Sequence, residues 1–244
     1  MSDLNNINIG NVKITVLEDG YLNFPKEVLK NITPEIEKTL TDNTESDLAL
    51  SNINTFLIEQ NDQKLLIDAG CRDIFGPTCG FFPEQLEKLE INPNEITDLF
   101  FTHLHPDHVG GAITKEGKPV FVNASVKIPK KEIDFWNRND FKDVEANGKS
   151  TADLAKSLLN AYDGKIVSVS NDDEIIKNVH VVDMPGHTPG HSGFRIDDAN
   201  ESFINLGDIL HVPNIQLENP NISLLFDVDM DLGLKTRKML FDMV

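Results

Sequence analysis

Three of the seven histidines fall within six positions of one another, in Thr102-His103-Leu104-His105-Pro106-Asp107-His108. Neutral imidazole is the commonest protein ligand for zinc and also suits iron and nickel. His103 and His105 stand two apart, so on extended chain their side chains point the same way and can grip one ion. Pro106 and Asp107 turn the chain toward a helix, which aims Asp107 and His108 at a neighbouring point. Two cations bridged by hydroxide would then sit roughly 3.5–4 Å apart. The competing reading is a solvated, histidine-rich turn.

A second stretch, Met184-Pro185-Gly186-His187-Thr188-Pro189-Gly190-His191-Ser192, offers a further imidazole. His187 leaves the end of an expected strand into a turn stiffened by Gly186, Pro189 and Gly190, and would complete a three-nitrogen site with His103 and His105. His191 competes for that place, but its position suits orienting the loop through hydrogen bonds. In Asn205-Leu206-Gly207-Asp208-Ile209-Leu210-His211, Asp208 ends an apolar strand after a glycine, where a carboxylate can approach and bridge two ions. Taken alone, Asp208 reads equally as a turn former or helix cap. Asp68, in Leu66-Ile67-Asp68-Ala69-Gly70, is another strand-end acid, suited to accept the outer ring N–H of a ligand histidine or simply to form a turn.

Composition narrows the function classes. Forty acidic against 22 basic residues give 244 residues a formal charge of −18, which repels phosphate backbones and anionic membranes. Met1-Ser2-Asp3-Leu4-Asn5-Asn6 has neither a basic nor an apolar segment of the secretory kind. No apolar run approaches the length of a bilayer span. Cys71 and Cys79 form no CxxC pattern and lie in a Gly/Pro-rich loop, so they read as free thiols in a reducing, cytoplasmic setting. No Gly-x-Ser-x-Gly is present and neither cysteine neighbours a histidine, which argues against serine or cysteine nucleophiles. Phe81, Phe82, Phe135 and Trp136 could line an apolar pocket, with core packing the alternative.

The positioning elements alternate along the chain without repeats or linkers. Strands are expected over residues 12–17, followed by a turn at Asp19-Gly20, and over 54–59 and 64–67, paired across an Asn61-Asp62 turn. Residues 97–102, 118–123, 125–128, 165–169, 178–184, 193–196 and 202–206 also read as strands. Helices are expected from Thr33-Pro34 onward, around Leu86 and Leu89, over 131–137 and 151–161, and from about Asp229 to Val244. Strands in both halves with helices between suggest two sheets packed face to face under helices.

The His-Leu-His-Pro-Asp-His run, the Pro-Gly-His-Thr-Pro-Gly-His-Ser turn and the later Gly207-Asp208 resemble the metallo-β-lactamase superfamily over nearly the whole chain. Residues 54–70, the Phe75-Gly76-Pro77-Thr78 loop, 102–111 and 207–212 resemble the branch containing N-acyl-homoserine lactonases and methyl parathion hydrolase. The resemblance implies an α/β fold, an αββα sandwich of two mixed β-sheets flanked by helices, with two divalent metal ions, zinc foremost, at one edge of the sheets. It implies that His103, His105 and His187 hold the first ion, that Asp107 and His108 hold the second, and that Asp208 bridges. Asp107 would orient the hydroxide and carry its proton. A small-molecule lactone, ester or phosphotriester would be hydrolysed, with a homodimer as the candidate assembly and no nucleic acid or membrane as partner. One departure is that residues 1–244, read as a single domain, lack the branch's C-terminal strand and the last histidine of the second metal. The chain therefore reads as truncated, with a weaker second site. His211 lies near the gap and would compensate, although in relatives that position faces substrate. A mononuclear iron dioxygenase of the same superfamily and a non-catalytic remnant are the rival readings.

Overall fold

The computed structural model describes residues 6–42, 49–142 and 147–243. Residues 1–5, read as carrying no secretory signal, and Val244, the expected end of the last helix, lie outside them. The chain begins with β1 (Asn6–Ile9), β2 (Val12–Asn23) and the short β3 (Leu29–Lys30), then α1 (Pro34–Asp42), β4 (Leu50–Gln60), β5 (Gln63–Ile67) and α2 (Phe82–Lys88). It continues through β6 (Asp98–Phe100), α3 (Pro106–Val109), β7 (Ser125–Pro129), α4 (Lys130–Trp136), α5 (Lys149–Ala161) and β8 (Ile166–Val169). The remaining elements are β9 (Glu174–Ile176), β10 (Val179–Asp183), β11 (Ser192–Asp198), β12 (Glu201–Asn205), α6 (Pro213–Gln216), β13 (Ser223–Leu224) and α7 (Met230–Phe241).

Seven strands form one sheet in the order β1-β2-β4-β5-β6-β7-β8, and four form a second in the order β12-β11-β10-β9. The first is antiparallel up to β5 and parallel from β5 to β8, whereas the second is antiparallel throughout. This is the expected αββα sandwich. Period-two alternation explains why it forms: Leu65 and Ile67 pack between the sheets with Ile14, Ile58, Phe100, Val181 and Phe194. Leu66, Leu57, Leu99 and Phe101 face the other way, against Leu86 of α2, Trp136 of α4 and Leu158 of α5. Strands buried on both faces read as continuous apolar runs, as residues 65–67 and 99–101 do. Each fully buried side chain of this kind contributes about 1.5–3 kcal/mol. On the far side of the second sheet, Leu240 of α7 packs on Met184 and Ile209. Among the described residues no helix is long and apolar enough to cross a membrane.

Two local expectations are overturned. The chain does not turn at Asp19-Gly20; β2 runs on to Asn23 with only a register irregularity between Glu18 and Gly20. Asp19 is buried there and accepts the N–H groups of Cys71 (2.9 Å), Gly80 (3.3 Å) and Phe82 (2.8 Å). Gly20 takes φ 135°, and a Cβ on it would stand 2.4 Å from Cys79 Cα, so the glycine serves a bulge and a close approach instead of a hairpin. Residues 118–123 are likewise no strand. Pro119 has no N–H for a ladder and makes one bridge to Ile113, after which Phe121 turns inward and donates its N–H to the Tyr162 hydroxyl at 3.1 Å. The strand β9 is an element that the sequence pattern did not disclose.

Candidate metal centre

The first sheet delivers its histidines where β6 ends. Phe100 closes that strand, Ser192 N donates to Thr102 O at 3.0 Å from the second sheet, and His103 lies directly beyond, fully buried. Pro106 opens α3, whose first turn carries Asp107 and His108. His187 leaves the end of β10, and Asp208 sits in a single 3-10 turn, Gly207–Ile209, just past β12. Asp208 is thus placed by a turn rather than by the strand end that the sequence suggested.

These groups converge. His105 Nδ1 lies 3.0 Å from His103 Nε2 and 2.8 Å from His187 Nε2. Asp208 Oδ2 lies 3.3 Å from His108 Nε2 and 3.1 Å from His211 Nε2, with His187 Nε2 at 3.7 Å and His103 Nε2 at 3.9 Å. Asp107 Oδ2 stands 3.5 Å from His108 Nε2. Three overlapping donor groups result, each with ligand atoms within 4.8 Å of one another: His103-His105-His187, His103-His108-Asp208 and His187-Asp208-His211.

Four of the imidazoles, those of His103, His105, His108 and His187, are held from behind by the nitrogen that faces away from the centre. Asp68 Oδ2 accepts from His108 Nδ1 at 2.8 Å, while its two oxygens also take the Thr102 N–H (2.9 Å) and hydroxyl (2.8 Å). Thr102 Oγ1 in turn accepts from His103 Nδ1 at 3.1 Å. Asp227 Oδ1 accepts from His187 Nδ1 at 3.0 Å, and Asn147 Oδ1 accepts from His105 Nε2 at 2.6 Å. Such anchoring fixes the tautomer and turns each free lone pair inward. Asp68 thus faces the outer ring nitrogen of His108. Asn147, Asp227 and the hydroxyl of Thr102 were not foreseen, because one amide or carboxylate far along the chain carries no pattern.

Electrostatics suit a cation. Burial and the neighbouring imidazoles hold His103 well below the ordinary histidine range, and burial with His187 brings His105 down to about 3. Burial opposes the charge on His108, but Asp208, Asp107 and Asp68 outweigh it and raise that ring. Burial likewise opposes the Asp208 carboxylate, and His108 and His211 outweigh it, keeping the group ionised. Inward-facing imidazoles, with His103 and His105 held neutral, and carboxylates beside them are a donor set fitted to divalent cations such as zinc.

His191 stands apart from the three donor groups. Its Nδ1 donates to Met184 O at 2.8 Å and its Nε2 accepts the Asp208 N–H at 2.9 Å, which makes it the loop-orienting residue that its position suggested. Burial holds its imidazole down to about 3, against 6.5 for a free side chain. The unfolded chain thus takes up this proton first. Stability from His191 should be complete above about pH 6.5 and be lost as pH falls toward 3, at about 1.4 kcal/mol per pH unit. Urea midpoints between pH 7 and 4 check this; His191→Gln should show a shallower decline than the parent chain.

The sites open into a cavity of about 810 Å³. Phe82 and Trp136 are core residues, Phe135 packs on that core, and Phe81 is 38% exposed, so the cavity wall is built from other aromatics. Those are Phe24, Phe56, Phe75 and Phe226. The described lining contains no lysine or arginine.

The sequence profile of the Metallo-beta-lactamase superfamily matches residues 48–243. The chain belongs to this superfamily. Over 112 residues the chain is 27% identical to an N-acyl homoserine lactonase of Bacillus sp.. That stretch is 46% of this chain and spans only 37% of the relative's length. The hydrolase AbOPH of the beta lactamase superfamily matches with a TM-score of 0.88 at 27% identity, over 99% of this chain and 86% of that one. AidC, a dizinc quorum-quenching lactonase solved with a product bound, matches with a TM-score of 0.84 at 26% identity, over 98% of this chain and 86% of its own.

Proposed function

We propose that this chain is a metal-dependent hydrolase of uncharged lactones and related esters, using two divalent ions, zinc first among them. The observation that carries the reading is the convergence of His103, His105 and His187 beside His108 and Asp208, with Asp107 3.5 Å from His108, on a cavity whose described lining contains no lysine or arginine. A substrate bearing a carboxylate or phosphate would find no lysine or arginine there to pair with, whereas a neutral acyl ring would lose little on entering. The lactonases among its structural neighbours support the same class.

His103, His105 and His187 would hold one ion, Asp107 and His108 the other, with Asp208 between them and His211 close enough to share the second. Bound ions supply a water of lowered pKa and polarise the scissile carbonyl. The Asp107 carboxylate is ionised because His108 outweighs the cost of its burial. It would take the proton of the attacking water and pass it to the leaving oxygen. His211 lines the cavity, and among the described residues its buried Nδ1 meets no hydrogen-bond partner.

The test is a panel of N-acyl homoserine lactones, aryl esters, a phosphotriester and a β-lactam, offered to protein loaded with zinc, manganese or cobalt and assayed for metal content. Lactone turnover that a chelator stops and zinc restores is expected, with the β-lactam poorest. No turnover with any metal overturns the reading, as does a single iron per chain with oxygen uptake.

A further inference from the structure

We propose that Cys71 and Cys79 form a peroxide-responsive dithiol whose disulfide locks the loop carrying Ile74 and Phe75 along the cavity wall. Both are free thiols, buried to 0% and 5% exposure, and their sulfurs lie 3.0 Å apart. That is inside van der Waals contact and about 1 Å beyond a covalent S–S bond. The backbones are brought together from several sides. Cys71 N–H is held by Asp19 at 2.9 Å, Cys79 bridges Gly20, and Tyr21 N donates to Thr78 O at 3.0 Å. A Cβ on Gly80 would stand 1.9 Å from Arg72 O, so glycine alone permits the two ends of the loop to touch. Closing the bond therefore demands only a small movement of sulfur.

The chemistry starts at Cys79, the more accessible of the two. Burial, the Cys79 thiol and the Asp19 carboxylate hold the Cys71 thiol well above the usual range, which makes it a poor first nucleophile. A peroxide transfers one oxygen to Cys79, giving a sulfenic acid and one water. The Cys71 sulfur then attacks the sulfenyl sulfur, the S–S bond forms and hydroxide leaves, taking the thiol proton as a second water. Two thiols and one peroxide become one disulfide and two waters. A small dithiol returns two electrons and two protons and restores the pair.

The structural consequence lies on the cavity. Ile74 and Phe75, 37% and 39% exposed, line it from within the segment that the bond would close. The inference is independent of which molecule the site hydrolyses, and its test reads no hydrolysis. The whole chain is reduced, freed of reductant, treated with stoichiometric hydrogen peroxide and analysed by thiol titration after unfolding, intact mass and amide hydrogen exchange. Expected are a fall from two titratable thiols to none, a monomeric chain lighter by two hydrogens, and recovery of both thiols with dithiothreitol. Exchange across residues 72–78 should slow several-fold on oxidation and be unaffected by peroxide in Cys79→Ser. Persistence of both thiols, oxygen uptake that dithiothreitol does not reverse, a disulfide joining two chains, or unchanged exchange in the oxidised protein would each overturn the proposal.

Discussion

His103→Ala should give a folded chain that retains no cation tightly and shows only background hydrolysis. His103 is the one imidazole common to the groups His103-His105-His187 and His103-His108-Asp208, so a single truncation removes a donor from the first ion and opens the space beside the second. Loss of groups that merely orient a ligand costs about 10–100-fold in metal affinity or activity, and loss of the ligand itself should exceed that range. Turnover should fall by roughly 1,000-fold or more, since both activation of water and polarisation of the carbonyl depend on the ions. His180, on β10 and outside the donor groups, supplies the control: His180→Ala should keep both metal and rate. Elemental analysis after dialysis against zinc-free buffer decides the matter. Two tightly held ions in the His103 variant would remove it from the centre.

Glu132→Ala should be the most destabilising single change near the site, although Glu132 touches none of the donor atoms. Its buried carboxylate accepts from Leu104 N at 3.2 Å, Trp136 Nε1 at 2.7 Å and Gly190 N at 3.0 Å, and from the Thr188 hydroxyl. Leu104 lies between His103 and His105, and Thr188 follows His187. One side chain thus pins the first histidine loop to the second. Each donor left without a partner in the interior costs about 1–3 kcal/mol, so a total of about 3–5 kcal/mol is expected after partial relaxation. In a chain of this size that lowers the thermal midpoint by roughly 10 °C. Zinc affinity should fall about 10–100-fold at the same time, because the spacing between the two loops is no longer enforced. Glu132→Gln, which keeps one carbonyl acceptor, should lie between. An alanine variant with parental midpoint and zinc affinity would show that β6 and β10 hold their loops unaided.

The difference between what could and could not be read from the chain has a physical basis. His103, His105, Asp107 and His108 are legible because they are local: one strand end and one helical turn aim them, and their spacing reflects that geometry. The buried strands are legible because apolar side chains on both faces leave continuous runs. Glu132, Asn147 and Asp227 were hidden because each reaches its partner across a long stretch of chain; Asn147 meets His105 at a separation of 42 residues and Asp227 meets His187 at 40. Asp19-Gly20 misled for the related reason that local turn chemistry yielded to a tertiary demand. Three backbone N–H groups from residues 71–82 need the Asp19 carboxylate, and a hairpin there would withdraw it. Residues 118–123 have the composition of a strand but also Pro119, and no ladder forms around it.

The two walls of the cavity have separate origins in the chain. Ionisable donors come from the turns after β6, β10 and β12, while Leu22, Phe24, Leu50 and Phe226 come from β2, the residue just past it, the start of β4 and a loop before α7. Mutation can therefore reshape what the cleft admits by exchanging one alkyl or aryl group for another, leaving the reactive end untouched. Such a division of labour makes a protein easy to re-purpose, since a new preference can be acquired in small steps that never pass through an inert ancestor.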